Sequence, residues 1–199
     1  NKRLIYASIS GFGQDGPSRD RLALDTMTRA VSGMMSVTGF PDGDPVIMGA
    51  PLADVISGMF AAYAILGAVF NVAQDGEGQY IDVSMQDSLI AALGPRMGEA
   101  LQVGRSSGRM GNENPIRVPS DTYRTADGRF INITVVNERH WAPFCQAIDC
   151  EDWIEDPRFI DMPARIQHRI ELKEPLAARL AEETLEEWMS RFDAARIPY

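Results

Sequence analysis

Asp54 is the residue whose type and position best suit chemistry, because it is a lone acid at the start of a long apolar stretch, residues 55–72. Pro51 precedes it at the spacing typical of a helix's first turn, and the stretch predicts the helix that follows. A carboxylate there is held anionic by the helix dipole and by backbone N–H groups without helical partners. Asp54 is therefore a candidate nucleophile or base, with an ordinary first-turn acid as the alternative.

A second acid, Asp25, lies near the start of another predicted helix, residues 22–35. Apolar residues recur through this segment at helical spacing. Asp25 has two interpretations: a solvated first-turn charge, or an acid that faces Asp54 and orients an acyl group.

A glycine motif, G-x-G-x-x-G, spans residues 11–16 between a predicted strand and that helix. Alone it suggests a dinucleotide site. A proline directly follows the third glycine, however, and no acid stands at the end of a second strand ~20 residues on, where a ribose would be bound. Nicotinamide or flavin binding is therefore disfavoured. The motif predicts instead a turn at which a ligand approaches the backbone of Gly11, Phe12 and Gly13.

Composition limits the other classes of function. The chain has 199 residues and a net charge of −9, which argues against non-specific nucleic-acid binding. The only cysteines, Cys145 and Cys150, have a spacing that fits no metal motif and no disulfide within a helix. No metal site is therefore expected. Because no secretory signal is recognised either, the sequence predicts a reducing, cytoplasmic setting.

The apolar stretch at 55–72 is long enough to be tested as a membrane span. Ser57, Tyr63 and Asn71 lie within it, together with several alanines. This composition favours the buried core helix of a soluble protein, and no membrane association is expected.

The order of predicted elements indicates two domains. Over residues 1–103, strands and helices alternate as in an α/β layer with parallel strands. The predicted strands are 3–10 and 79–83, and the predicted helices are 22–35, 55–72 and 85–103. Residues 104–117 are rich in Gly, Ser, Arg and Asn and predict a linker.

Residues 118–199 predict a small α+β domain. Its first elements form a hairpin around a turn at 126–129. The predicted helices are 138–148, 162–181 and 185–195, the last with a capping box formed by Thr184 and Glu187. The chain begins directly with a predicted strand and stops just after a predicted helix, with no further element to close the domain. We therefore expect it to be a piece of a longer protein.

The remaining polar candidates carry weaker signals. Arg105, Arg109 and Arg117 are possible phosphate ligands, with solvated surface charge as the alternative. His140 and His168 are not paired with another ligand or acid at motif spacing, which favours structural roles.

Taken together, several stretches resemble the class III CoA-transferases, a family that includes formyl-CoA transferases and the related α-methylacyl-CoA racemases. The resemblance runs essentially end to end. The matching stretches are Arg3-Leu4-Ile5-Tyr6, Ser10-Gly11-Phe12-Gly13-Gln14-x-Gly16-Pro17, Ser36-Val37-Thr38-Gly39, Leu52-Ala53-Asp54-Val55-x-x-Gly58, Gly76-x-Gly78-Gln79-x-Ile81-Asp82-Val83 and Arg109-Met110-Gly111-Asn112.

The resemblance implies a reaction in which Asp54 is the nucleophile. It attacks the thioester of a donor acyl-CoA, giving an aspartyl-acyl anhydride and CoA thiolate; the thiolate returns to form an aspartyl-CoA thioester, and an acceptor carboxylate carries CoA away. Nearby N–H groups are expected to stabilise the oxyanion. CoA is then a substrate, no permanently bound cofactor is expected, and the motif residues Gly11, Phe12 and Gly13, with Arg109, are assigned to contacts with it.

The departures from the family pattern keep two alternatives open. Racemases carry His-Asp where this chain has Leu24-Asp25, and leucine cannot exchange a proton, so an acyl-CoA racemase is the weaker alternative. Some members close a glycine-rich loop over the intermediate, whereas the matching segment, 136–140, has no glycine. Asn137 and Glu138 are its candidate polar contacts. A non-catalytic CoA-binding or dimerisation module is the third hypothesis.

The resemblance also implies the architecture. Residues 1–103 correspond to part of a Rossmann-like parallel-sheet domain, which the linker at 104–117 joins to a smaller α+β domain at 118–199. Family members are longer at both ends and form interlocked homodimers, so a homodimer acting on acyl-CoA and small carboxylic acids is expected.

Overall fold

The computed structural model describes residues 1–104, 106 and 108–199. They form two compact units, Asn1–Gly111 and Asn112–Tyr199. The boundary between the units falls within the segment predicted as a linker. Arg105, one of the predicted phosphate ligands, lies outside the described residues.

The first unit contains two parallel strands, β1 (Tyr6–Ser10) and β2 (Tyr80–Ser84). Tyr6 lies opposite Tyr80, and their rings stack with centroids 5.7 Å apart. The parallel pairing confirms the predicted α/β alternation. It also brings the turn after β1 to the carboxyl edge of the sheet, where ligands of open α/β folds bind.

Helices pack against these strands. Those described in this unit are α1 (Asp25–Val31), α2 (Leu52–Asp75), α3 (Met85–Ala92) and α4 (Pro95–Val103). The predicted helix at 22–35 is shorter, because Gly33 adopts a φ of 87° and a 3-10 turn, Met34–Val37, follows it.

The prediction of one helix over 85–103 is wrong. Gly94 has a φ of 52°, outside helical geometry, and Pro95 begins a second helix. Proline lacks the N–H that would continue the preceding helix, but it suits the first helical position.

Helix α2 buries only a narrow stripe of its surface. The buried residues are Ala53, Ser57, Ala61, Ala68 and Val72. Larger apolar side chains are exposed, including Phe60, Leu66 and Phe70. Leu52–Gln74 has a mean hydropathy of 1.9 and is the helix among the described residues that could cross a membrane by length and composition. The predicted burial of this helix is wrong for the described residues, because few of its larger side chains, among them Leu52 and Ile56, pack against a neighbour.

The second unit begins with an antiparallel hairpin, β3 (Ser120–Arg124) and β4 (Phe130–Thr134), which confirms the predicted strands. The helices described after it are α5 (Trp141–Ala147), α6 (Met162–Gln167), α7 (Arg169–Leu180) and α8 (Leu185–Ala195), with 3-10 turns at Glu138–His140 and Glu151–Ile154. The hairpin and helices enclose one core, in which Phe144, Trp188 and Phe192 are fully buried.

Two features of this unit test predictions made from the sequence. The helix predicted over 162–181 divides at His168, whose φ of −102° and ψ of 25° interrupt it. The capping box of α8 is confirmed: Glu187 N donates to the Thr184 hydroxyl at 3.3 Å, and Thr184 N donates to the Glu187 carboxylate at 2.9 Å.

Candidate active site

Asp54 stands in the first turn of α2, where the sequence predicts it. Its side chain is exposed. Within the described part of the chain no donor reaches its carboxylate, and only its backbone N–H is engaged. Both carboxylate oxygens are therefore open to an incoming electrophile.

The backbone N–H groups of this turn already have acceptors, contrary to the expectation that they are free to stabilise charge. Ala53 N and Asp54 N donate to Asp25 Oδ1 at 2.8 and 3.4 Å. The amides of Leu52 and Val55 donate to backbone carbonyls at 2.9 and 3.1 Å. The aligned dipole of α2 still favours an anion here, but these four amides already donate to other acceptors.

Asp25 is held by structural contacts. One oxygen accepts the two amides of α2, and the other forms an ion pair with Arg29. The side chains of Asp25 and Arg29 are 13% and 7% exposed. The two acids thus differ, since Asp25 is bound and Asp54 is open. A direct contact of Asp25 with substrate stays a prediction, and it would require this carboxylate to release a partner.

Arg29 is a residue of this site to which the sequence analysis did not point. Its Nη1 donates to the carbonyl oxygens of Met48 and Ala50 at 2.6 and 2.7 Å. The spacing of Asp25 and Arg29 is a recognisable i,i+4 ion-pair signal. The carbonyl contacts, in contrast, join segments far apart in sequence and leave no local pattern.

The turn after β1 is shaped by packing. A Cβ at Gly11 would lie 2.1 Å from Ala23 Cβ, and Gly13 has a φ of +83°, which side chains rarely adopt. Asp82, on β2, accepts a hydrogen bond from Gln14 N at 2.7 Å. The fold therefore requires both glycines by itself, and contact of this turn with CoA stays a prediction.

The other two candidate CoA contacts also have partners within the first unit. The Arg21 guanidinium lies 5.2 Å from the centroid of the Phe12 ring. Arg109 donates to the carbonyls of Phe40 and Gly43 at 3.3 and 2.7 Å, which ties down the loop before α2. Phosphate binding by Arg109 stays a prediction.

Asn137 and Glu138, the candidate contacts in the second unit, have different surroundings. Asn137 Oδ1 is buried and has no hydrogen-bond partner among the described residues. Glu138 accepts Arg165 Nη2 with both oxygens, each at 3.0 Å, and accepts Met162 N at 2.8 Å. Segment 136–140 is therefore anchored through Glu138, while Asn137 retains an unused acceptor. Their contact with substrate stays a prediction.

Comparison with known protein families identifies the family to which this chain, with its two acids at helix starts, belongs. The family model described as CoA-transferase family III matches residues 1–199, the whole chain. The chain belongs to CoA-transferase family III.

This family III chain is 35% identical to an acetyl-CoA:oxalate CoA-transferase of Acetobacter aceti, with 100% of the chain and 51% of that protein aligned. It is 34% identical to the succinyl-CoA:glutarate CoA-transferase of Mus musculus, with 98% and 45% aligned. A crystal structure of a CaiB/BaiF family protein from Brucella suis matches with a TM-score of 0.83 and 30% identity, over 100% of this chain and 52% of that one. The family III chain spans about half the length of these relatives.

Proposed function

We propose that the complete protein transfers CoA from an acyl-CoA donor to a carboxylic acid, with Asp54 as the nucleophile. The relatives support this assignment, because those named above act between an acyl-CoA and a dicarboxylic acid by their names, acetyl-CoA:oxalate and succinyl-CoA:glutarate. Acyl-CoA and a small carboxylic acid are therefore the proposed substrates, and CoA enters as part of a substrate.

The observation that carries the proposal is the contrast between two neighbouring acids. The oxygens of Asp25 accept two backbone amides and pair with Arg29. Asp54, in contrast, has an exposed carboxylate that no donor among the described residues reaches. A carboxylate without such donors retains its nucleophilic electron pairs.

The proposed chemistry balances without any other reactant. An Asp54 oxygen attacks the donor thioester carbonyl, and the C–S bond breaks to give an anhydride and CoA thiolate. The thiolate attacks the Asp54 carbonyl, releasing the donor acid and leaving an Asp54–CoA thioester. The acceptor carboxylate attacks this thioester, and the thiolate released then attacks the acceptor carbonyl. The products are acceptor acyl-CoA and free Asp54 carboxylate.

Racemisation of an acyl-CoA is the weaker alternative. It needs a group that removes and returns a proton at the α-carbon. The two histidines of the chain, His140 and His168, both lie in the second unit. At the position where racemases carry histidine, Leu24 is 70% exposed and apolar. The first unit therefore offers no imidazole beside Asp54.

An oxygen-18 label tests the proposed route. When the acceptor carboxylate carries oxygen-18, the bridging oxygen of the second anhydride remains on Asp54. After single turnover, the peptide containing Asp54 should gain one heavy oxygen by mass spectrometry, and further turnover should pass the label to the donor acid. Direct attack of the acceptor on the donor thioester would leave the enzyme unlabelled.

Two substitutions complete the test. Asp54→Asn preserves the size of the side chain but removes its nucleophilic oxygen, and it should lower kcat by at least about 10³-fold, as expected for loss of a covalent nucleophile. Asp20→Asn is the matched control, since Asp20 is 91% exposed and its one ion pair in the described part of the chain is with exposed Arg19. Full activity of Asp54→Asn would refute the proposed role.

A further inference from the structure

We propose that Arg29 is a positioning residue, which fixes the backbone turn that presents Asp54 to the thioester. This inference rests on the proposed nucleophilic role of Asp54. Arg29 does not touch the reacting atoms; it acts through the chain on either side of Pro51.

Arg29 holds the segment before Asp54 by its carbonyl groups. One nitrogen, Nη1, binds the carbonyl oxygens of Met48 and Ala50 at 2.6 and 2.7 Å. Both distances are those of charge-assisted hydrogen bonds, which are about twice as strong as neutral ones. The last residues before Pro51 are irregular in structure, so these bonds fix a path that helical hydrogen bonding does not.

The second nitrogen, Nη2, holds the segment after Pro51 through a relay. It pairs with Asp25 Oδ2, and Asp25 Oδ1 accepts the amides of Ala53 and Asp54. One guanidinium therefore constrains the carbonyls before the turn and the amides after it. The constraint reaches the amide of the proposed nucleophile itself.

The guanidinium group is suited to this task by shape as well as by charge. Arg29 is 6% exposed, and its planar fork meets three acceptors that point at it from two segments. A lysine ammonium is a compact, strongly hydrated charge on a flexible stem and cannot reproduce a planar fork. Lysine should therefore keep the charge opposite Asp25 but lose part of the geometry.

Misplacing the nucleophile should slow chemistry more than binding. A shift of about 1 Å in a reacting group can cost about 10²-fold in rate. In the complete protein, Arg29→Lys should lower kcat about tenfold to 10²-fold, while KM for both substrates stays within about twofold. Arg29→Ala should lower kcat further, and added guanidinium, which fits the vacated space, should restore part of it.

Amide hydrogen exchange provides a readout that does not depend on activity. Loss of Arg29 should speed exchange in the peptide that covers residues 48–54, because its amides and carbonyls lose their anchor. Arg19→Lys and Arg19→Ala are the matched controls: the Arg19 side chain is 59% exposed and its partner, Asp20, is 91% exposed. They should change neither kcat nor exchange at 48–54.

The possible results separate the two proposals. A fall in kcat with unchanged KM, faster exchange at 48–54 and guanidinium rescue together support positioning by Arg29. Wild-type kcat in Arg29→Lys, or a fall in kcat with unchanged exchange and no rescue, overturns it. If the wild-type protein transfers no CoA, the proposed function fails, and exchange at 48–54 alone then decides whether Arg29 fixes the turn. If Arg29→Ala does not fold, the kcat, KM and amide exchange of Arg29→Lys decide whether Arg29 positions the turn.

Discussion

Two carboxylates at the starts of neighbouring helices have opposite surroundings. Asp25 is nearly buried and shared between Arg29 and the backbone of α2, whereas Asp54 is exposed and open. Asp25 thus has partners on both oxygens, and Asp54 is the acid that we propose as the nucleophile. The residue type alone does not distinguish these roles; the partners do.

Removing the charge of Asp25 should be costly for this reason. Asp25→Asn keeps an oxygen for Ala53 N but leaves the buried guanidinium of Arg29 without its counter-charge. Loss of one partner of a buried pair typically costs about 3–5 kcal/mol of unfolding free energy. Denaturant unfolding of the complete protein measures this loss.

The control for this experiment is Asp20→Asn, whose side chain is 91% exposed. It should stay within about 0.5 kcal/mol of wild type, as surface substitutions usually do. Equal stability of the Asp25 and Asp20 variants would show that the pair contributes little to the fold.

Sequence patterns identify Asp54 and the helix that it begins, but not the contacts that fix the turn before it. A lone acid after proline at the mouth of an apolar helix is a local signal. The binding of Met48 and Ala50 by Arg29 depends on how a loop returns to α1. No periodicity or motif encodes that return, so the contacts of Arg29 with these carbonyls could not be predicted from sequence.

At the scale of elements, the turn of the β3–β4 hairpin contains a carboxylate with specific partners. Asp127 accepts hydrogen bonds from the Thr125 hydroxyl at 2.5 Å and from Arg129 Nε at 2.6 Å. The Thr125 hydrogen bond, followed by the bond and charge of Arg129, lowers the pKa of Asp127 from 3.8 to about 2. The charged form of this residue therefore favours the folded hairpin.

This shift predicts a pH dependence of stability with a defined sign. Because the folded pKa is lower than the unfolded one, the contribution of Asp127 is present in full above about pH 4 and is lost as pH falls toward about 2. Asp127→Asn should lower the unfolding midpoint at neutral pH and flatten its decline between these values. Thermal unfolding at a series of pH values measures both effects.

Glu174→Gln is a suitable comparison, because Glu174 is an exposed acid of α7. It should retain the wild-type decline in acid. An Asp127→Asn variant with the same acid decline as wild type would contradict the hairpin's role.

Helix boundaries show which local signals are reliable. The Gly94-Pro95 pair carries a breaker signal that the apolar pattern of 85–103 obscured, and the structure breaks there. The break at His168 has no glycine or proline, and α7 continues through Pro175. Arg165, three residues earlier in α6, is fully buried and donates to the carbonyls of Val118 and Phe159, so tertiary contacts, which can override local propensity, surround this break.

At the scale of the whole molecule, the outward face of α2 is the main unexplained surface. Its large apolar side chains are exposed, and only 17% of its most apolar window is buried. An open groove of about 320 Å³ lies beside it, lined by residues of α2, β2 and α3. A helix that is apolar all round is normally covered by protein or by lipid.

The length of the relatives favours protein as the cover. The chain spans about half of each curated relative described above, and α2 lies in the unit whose described sheet has two strands, β1 and β2. A two-stranded sheet is marginally stable alone. We therefore expect further polypeptide of the complete protein to pack on α2 and to extend the sheet.

Two proteins test this expectation, the chain limited to residues 1–199 and the complete protein, because one substitution should have opposite effects in them. Leu66 and Phe70 are 66% and 67% exposed in residues 1–199. In a chain limited to these residues, Leu66→Glu should reduce self-association and dye binding, because it interrupts a large apolar patch. In the complete protein the same substitution should destabilise by about 2–5 kcal/mol or more, since it would bury a charge in a packed interface.

Tyr63→Gln and Gln74→Glu distinguish an effect of the apolar face from a general effect of substitutions in α2. Tyr63 lies on the exposed apolar face and should behave like Leu66 with smaller amplitude, whereas Gln74, at the polar end of α2, should change neither protein. A complete protein that tolerates Leu66→Glu would mean that the apolar face of α2 stays uncovered by its own chain. Partition of that protein into lipid vesicles, lost on Leu66→Glu, would then identify a membrane as the cover. Length and hydropathy alone do not distinguish a core helix from a membrane helix, and the sequence favours protein as the cover only through the polar residues Ser57, Tyr63 and Asn71.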